Sequence, residues 1–119
     1  MTSNKYGPFF IIKPEIGVFQ IYGKSLIEDM SPYEEFISHL NSFINNTTNK
    51  KVELTFNLDF CDTASSKILL DIVLLLESYE KKGASVEVNW CYDEDEEFMY
   101  DEGLSFQDMT DLEFNFITK

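Results

Sequence analysis

Apolar and polar residues alternate without a break from Val52 to Phe60. Val52, Leu54, Phe56, Leu58 and Phe60 share one parity, and Glu53, Thr55, Asn57 and Asp59 share the other. A period of two over this length predicts a strand with one covered and one polar face. Val86, Val88, Trp90 and Tyr92 alternate in the same way, as do Leu112, Phe114 and Phe116 near the end. Two further strands are expected early, at Phe9–Ile12 and at Ile16–Ile21, the second bounded by Gly17 and by Gly23 with Lys24. A tight turn near Lys13 to Glu15 would join them as a hairpin.

Helical spacing fills the gaps. Ser31-Pro32-Tyr33-Glu34 reads as a capping box, with Ser31 at N-cap, Pro32 at N1 and Glu34 at N3. Phe36, Ile37, Leu40, Phe43 and Ile44 then form one buried stripe, which the polar run Asn45–Asn49 ends. Ile68 to Leu76 is apolar except for Asp71, which predicts a largely buried helix stopped by Lys81-Lys82-Gly83. Phe98, Met99, Leu104, Phe106 and Met109 are spaced for a short helix, or one broken around Gly103. The order ββαβαβαβ implies an α/β fold: a mixed β-sheet with helices packed against it, containing two βαβ crossovers. One domain over residues 1–119 accommodates it, since 119 residues suffice for a single core.

The net charge of −13 comes from 22 acids against nine lysines, with no arginine. Nucleic-acid binding needs a basic footprint and favours Arg for bidentate contacts, so this balance disfavours nucleic acid and docking on an anionic membrane. It fits instead a partner that presents a basic surface. No apolar run reaches the roughly 20 residues that span a bilayer. Met1 to Lys5 is polar with no signal-peptide core behind it, so a cytoplasmic protein is expected. Cys61 and Cys91 lack metal-ligand spacing and read as buried free thiols at strand ends.

Catalysis is hard to assemble from these residues. The one histidine, His39, sits at the edge of a helical stripe with no obvious partner, which suits a structural role. No GxSxG, HExxH, Walker or GxGxxG pattern occurs, and neither cofactor nor catalytic group is implied. Two segments remain. Asp93–Glu97 fits a helix N-terminus whose acids complement the dipole, and it also fits an electrostatic docking patch. A rival reading takes the same carboxylates as the centre of a small metal-binding or enzymatic domain, although the EF-hand spacing is absent. The other segment, Asp62-Thr63-Ala64-Ser65-Ser66-Lys67, leads from a strand into the most apolar helix. Free backbone N–H groups and the positive dipole end favour an anion at such a place. Asp62, Thr63 and Ser65 or Ser66 are common N-cap residues, with Thr63 expected to cap the helix. From the residues alone, capping outweighs a phosphoacceptor role because it explains the same residue types.

This segment, followed by Leu69-Leu70-Asp71, together with Val88-Asn89-Trp90-Cys91-Tyr92-Asp93-Glu94-Asp95-Glu96, resembles the SiaC family of bacterial regulatory phosphoproteins. A weaker match runs from Gly23-Lys24-Ser25 through Pro32, Tyr33 and Phe36. The resemblance implies a fold similar to the STAS domains of anti-sigma-factor antagonists and a protein that is not an enzyme. It implies Thr63 as phosphoacceptor, with Asp62, Ser65, Ser66, Lys67, Trp90, Tyr92, Asp93, Glu94 and Asp95 meeting a partner. It implies a Ser/Thr kinase with a histidine-kinase-like ATPase fold and a PP2C-type phosphatase. A further implied partner is a diguanylate cyclase, bound by the unphosphorylated form, which ties the protein to cyclic-di-GMP and biofilm formation. The chain departs from the family pattern at three places. Ala64 replaces a hydroxyl residue, Asp62 stands where Asn is usual, and Cys91 replaces an aromatic.

Overall fold

The computed structural model describes residues 7–26, 30–46 and 51–119. Two expectations, the polar Met1–Lys5 segment and the Thr47–Asn49 part of the loop, lie outside these residues. The elements are β1 (Phe9–Lys13), β2 (Val18–Ser25), α1 (Ser31–Asn46), β3 (Lys51–Cys61), α2 (Thr63–Lys81), β4 (Ser85–Tyr92), α3 (Glu97–Asp108) and β5 (Phe114–Thr118). Their order is the ββαβαβαβ that the residue pattern implies.

The five strands form one sheet in the order β1-β2-β3-β4-β5. β1 pairs antiparallel with β2, and every later pair is parallel. Three βαβ crossovers therefore build the sheet, not two, because β4 to β5 is also a parallel step through α3. Right-handed crossovers that always advance in one direction place all their helices on one face.

The core follows from that arrangement. Phe19, Ile21, Val52, Leu54, Phe56, Leu58, Val88, Trp90 and Phe114 of the strands join the buried residues of all three helices in a single cluster. The opposite face is polar across its centre, with Ile11 of β1 beside Gln20. Gln20, Thr55, Asn89 and Asn115 lie in one row across four strands. Asn89 donates to Thr55 Oγ1 at 3.2 Å and accepts from Asn115 Nδ2 at 3.1 Å.

Four local expectations shift. The β1–β2 link is a 3-10 turn, Pro14–Ile16, closed by Gly17 at φ 67°, and β2 begins at Val18 and runs on to Ser25. Glu34 N–H reaches the Met30 carbonyl at 3.0 Å, so α1 starts one residue before the capping box places it. α2 is one-sided rather than largely buried, since Leu74 is 40% exposed on its outer face. α3 is continuous through Gly103, where a Cβ would stand 2.6 Å from the Trp90 ring. Glycine there is required by close packing and does not break the helix.

Candidate functional site

The site begins with an irregularity in β3. Gly23 pairs with Leu58, but Lys24 pairs with Phe60 and Ser25 with Cys61, which leaves Asp59 as an extra residue. An extra residue in one strand reverses the side-chain parity beyond it. Phe60, expected on the covered face, is therefore 42% exposed, and Cys61 turns inward to 2%.

The chain then enters α2 through Asp62, whose side chain accepts the Ser65 N–H at 2.8 Å. Asp62 is the N-cap, at φ −82° and ψ 177°, and Thr63 is the first helical residue. The expectation that Thr63 caps the helix is thus corrected, because the carboxylate of Asp62 already fills that place. Asp62 also accepts Ser66 N–H on its carbonyl at 2.9 Å, and its own N–H donates to the Ser25 carbonyl at 3.0 Å. Thr63 and Ala64 are exposed. Among the described residues neither the Thr63 hydroxyl nor the Thr63 and Ala64 backbone N–H groups have a hydrogen-bond partner. Lys67, one turn along, is exposed as well. Met30, Thr63, Ala64, Lys67, Ile68 and Asp71 line a shallow cavity of about 480 Å³.

Beneath Thr63 lies a chain of enclosed hydroxyls. Ser65 Oγ donates to the Ser25 carbonyl at 3.0 Å and accepts from Ser25 Oγ at 2.6 Å. Ser25 has one hydroxyl proton, so at its 2.6 Å contact with Tyr33 the phenol is the donor. Three element ends, those of β2, α1 and α2, are tied by this chain. Burial pushes the Tyr33 phenol up to about 12, opposed by the Ser25 hydrogen bond and reinforced by Cys61 and Asp62.

A second link joins α2 to α3. Ser66 Oγ donates to Glu102 Oε1. With that proton committed, the Cys61 thiol is the donor in its 3.5 Å contact with Ser66 Oγ. Burial pushes the Cys61 thiol up; its hydrogen bond to Ser66 opposes this, and the charges of Glu102 and Asp62 add to it.

The expected partner-contact residues divide by exposure. Lys67, Asp93, Glu94 and Asp95 are exposed, and Asp62, Ser66 and Tyr92 are half-buried. Ser65 and Trp90 are 0% exposed, so neither offers a partner any surface. Trp90 is instead a core residue: its Nε1 donates to the Met99 carbonyl at 2.7 Å, and its ring packs on Phe56, Phe106 and Phe114. Tyr92 packs against Tyr100 in a tilted contact, with ring centroids 4.8 Å and planes 51° apart. In the acidic run, Asp93 Oδ1 accepts the Asp95 N–H at 3.0 Å, and Glu96 is the N-cap of α3. Among the described residues no three His, Cys, Asp or Glu side chains converge as a metal site would require. His39 faces water and stands 4.0 Å from Glu35. Both cysteines are free, Cys61 buried and Cys91 half-buried.

Sequence reasoning overlooked the support provided by Ser25, Tyr33 and Glu102. Ser25 and Tyr33 carry a trace in the weaker resemblance, whereas Glu102 lies 36 positions from Ser66 and carries none.

Comparison with known proteins adds the family. The chain superimposes with a TM-score of 0.90 on the crystal structure of diguanylate cyclase SiaD in complex with its activator SiaC from Pseudomonas aeruginosa. Identity is 22%, over 98% of this chain and 96% of that one. Apo-SiaC from Pseudomonas aeruginosa matches with a TM-score of 0.88 at 21% identity, over 99% of this chain and 96% of that one. At these identities the likeness concerns the fold. No curated protein sequence matches the chain. A family model described as "SiaC family regulatory phosphoprotein" matches residues 1–119, and on that evidence the chain belongs to the SiaC family.

Proposed function

We propose that this protein is a non-enzymatic switch of the cytoplasm, set by reversible phosphorylation of Thr63. Its unmodified form docks a partner, and phosphorylation releases it. The observation that carries this reading is that Thr63, the first residue of α2, is exposed while the capping role is taken by Asp62. A kinase reaches Thr63 without dismantling the helix start.

The cavity beside Thr63 is lined by Met30, Ala64 and Ile68, so a docked partner sets apolar groups against it. A phosphoryl group adds about −1.5 to −2 charges there, together with bulk and a hydration shell that docking must strip away. A penalty of about 3 kcal/mol weakens binding more than 100-fold. Asp62 adds like-charge repulsion to the phosphate, partly offset by the free N–H groups, the dipole and Lys67.

The partner we propose is a diguanylate cyclase, which links the switch to cyclic-di-GMP and biofilm formation. This draws on the Pseudomonas aeruginosa SiaC, described as the activator of the cyclase SiaD. A Ser/Thr kinase with a histidine-kinase-like ATPase fold and a PP2C-type phosphatase would set and reset Thr63. Calorimetry with a diguanylate cyclase purified from the same cells tests the reading. Thr63→Ala retains full affinity, and Thr63→Glu weakens it at least tenfold. Equal affinity for all three proteins rejects the switch.

A further inference from the structure

β3 pairs with β4 from Lys51↔Ser85 to Phe56↔Trp90, and beyond that residues 57–61 run on beside β2. The extra residue Asp59 falls in this half-supported stretch, where a bulge locally disrupts the ladder. Lys119 reaches across to it. Its backbone N–H donates to the Tyr92 carbonyl at 2.9 Å, which seats it beside the end of β4. Its Nζ donates to Asn57 Oδ1 at 2.9 Å, to the Leu58 carbonyl at 3.3 Å and to Asp59 Oδ1 at 2.8 Å. An ammonium has three protons, and all three are used, on the extra residue and the two before it.

The contact is more enclosed than an ordinary surface pair. The Lys119 side chain is 26% exposed, against 56% for Lys51, which pairs with Glu87 at the other end of the strand. Leu58, Asp59, Asp93, Glu96 and Met99 line a cavity of about 210 Å³ with it, which sets one ammonium among three carboxylates. A partly enclosed charge with every donor satisfied contributes more than an exposed pair does. What it holds is the junction into α2. Past Asp59, Ser25 pairs with Cys61, and the Asp62 N–H donates to the Ser25 carbonyl at 3.0 Å. That pairing turns Cys61 inward and delivers Asp62 to the cap of α2.

We propose that Lys119 is an ionic clasp on the β3 bulge, and that its release opens the strand-to-helix junction at residues 61–63. The closed junction is the form in which Asp62 caps α2, so ionic strength sets how long the arrangement around Thr63 persists. The inference rests on the switch reading only for that regulatory meaning; the opening itself involves neither phosphate nor a partner.

Cys61, 2% exposed, reports the opening, since a thiol this enclosed is alkylated only when the structure around it opens. The full chain is treated with iodoacetamide at about pH 8.5 and digested. Mass mapping then reads Cys61 separately from Cys91, whose thiol burial raises and Lys119 lowers. Lys119→Met speeds Cys61 alkylation about tenfold, whereas Lys51→Met leaves it unchanged. Salt at about 1 M, where the screening length is about 3 Å, speeds the wild type and not Lys119→Met. That direction separates the clasp from global unfolding. Salt screens the self-repulsion of a chain at −13 and so slows any labelling that passes through the unfolded state. Wild-type rates in Lys119→Met overturn the clasp, as does equal acceleration in Lys51→Met. Slower labelling of the wild type in salt overturns it too. Neither phosphate nor a cyclase enters this readout, so its failure and that of the Thr63 switch are told apart.

Discussion

The carboxylate of Asp62 accepts the backbone N–H of Ser65 at 2.8 Å, and this one bond separates two roles that adjacent residues of the segment could have shared. Asp62 holds the start of α2. Thr63 stands outside the cap and is exposed to water.

That separation has a measurable consequence for stability. Asp62→Ala removes the cap and costs about 1 kcal/mol. Thr63→Ala changes an exposed first-turn residue and stays within about 0.5 kcal/mol of the parent. Urea unfolding of both variants checks this; a Thr63→Ala loss equal to that of Asp62→Ala would return the capping role to Thr63.

The hydroxyl chain beneath the site predicts an alkaline loss of stability. The Tyr33 phenol ordinarily titrates at 10.0 and is raised to about 12 in the fold. Below pH 10 both states keep the proton and its contribution is fully present. Above it the unfolded chain releases the proton first, so stability falls by about 1.4 kcal/mol per pH unit until the folded value is reached. The raised Cys61 thiol acts in the same direction from its own lower starting point. Tyr33→Phe should flatten this decline between pH 10 and 12 in urea titrations; an undiminished slope would count against the phenol as its source.

Gly103 illustrates packing that overrides propensity. Alanine normally favours a helix interior by about 1 kcal/mol over glycine. Here the added Cβ would lie 2.6 Å from Trp90 Cδ1 and Nε1 and 2.8 Å from Phe116 Cε1. Gly103→Ala is therefore expected to lower stability by about 1–3 kcal/mol, as overpacking does. A higher melting temperature for the variant would show that the contact is relieved at no cost.

The parity reversal in β3 separates two phenylalanines that the alternation treats alike. Phe56→Ala opens the core and costs about 3–5 kcal/mol. Phe60→Ala removes a surface ring and stays below about 1 kcal/mol. Chemical denaturation of the two variants under one set of conditions distinguishes a bulged strand from a regular one, in which both losses would be large.

Much of the fold was legible because one-sided burial writes its period into the residues. The β3 alternation, the α1 stripe and the Lys81-Lys82-Gly83 stop of α2 each reflect a local rule. The departures arise where the cause lies elsewhere in the chain. Asp59 becomes an extra residue only through the way β3 registers with β2, so nothing between Val52 and Phe60 announces the change of parity. Trp90 sits in a segment that matches the family closely, and a match along one dimension does not distinguish a core indole from a surface one. Gly103 resembles a helix breaker until the indole packed against it is in view. At the site, the residue types around Thr63 were legible, but the division of labour between Asp62 and Thr63 depends on a single backbone dihedral step into the helix.

The most direct test of the switch is intact mass with phosphosite mapping on the protein purified from its native cells, with and without phosphatase inhibition. The account predicts a species heavier by one phosphate, located on Thr63 and enriched under inhibition. Unmodified protein alone under inhibition, or a phosphate on any residue other than Thr63, would contradict it.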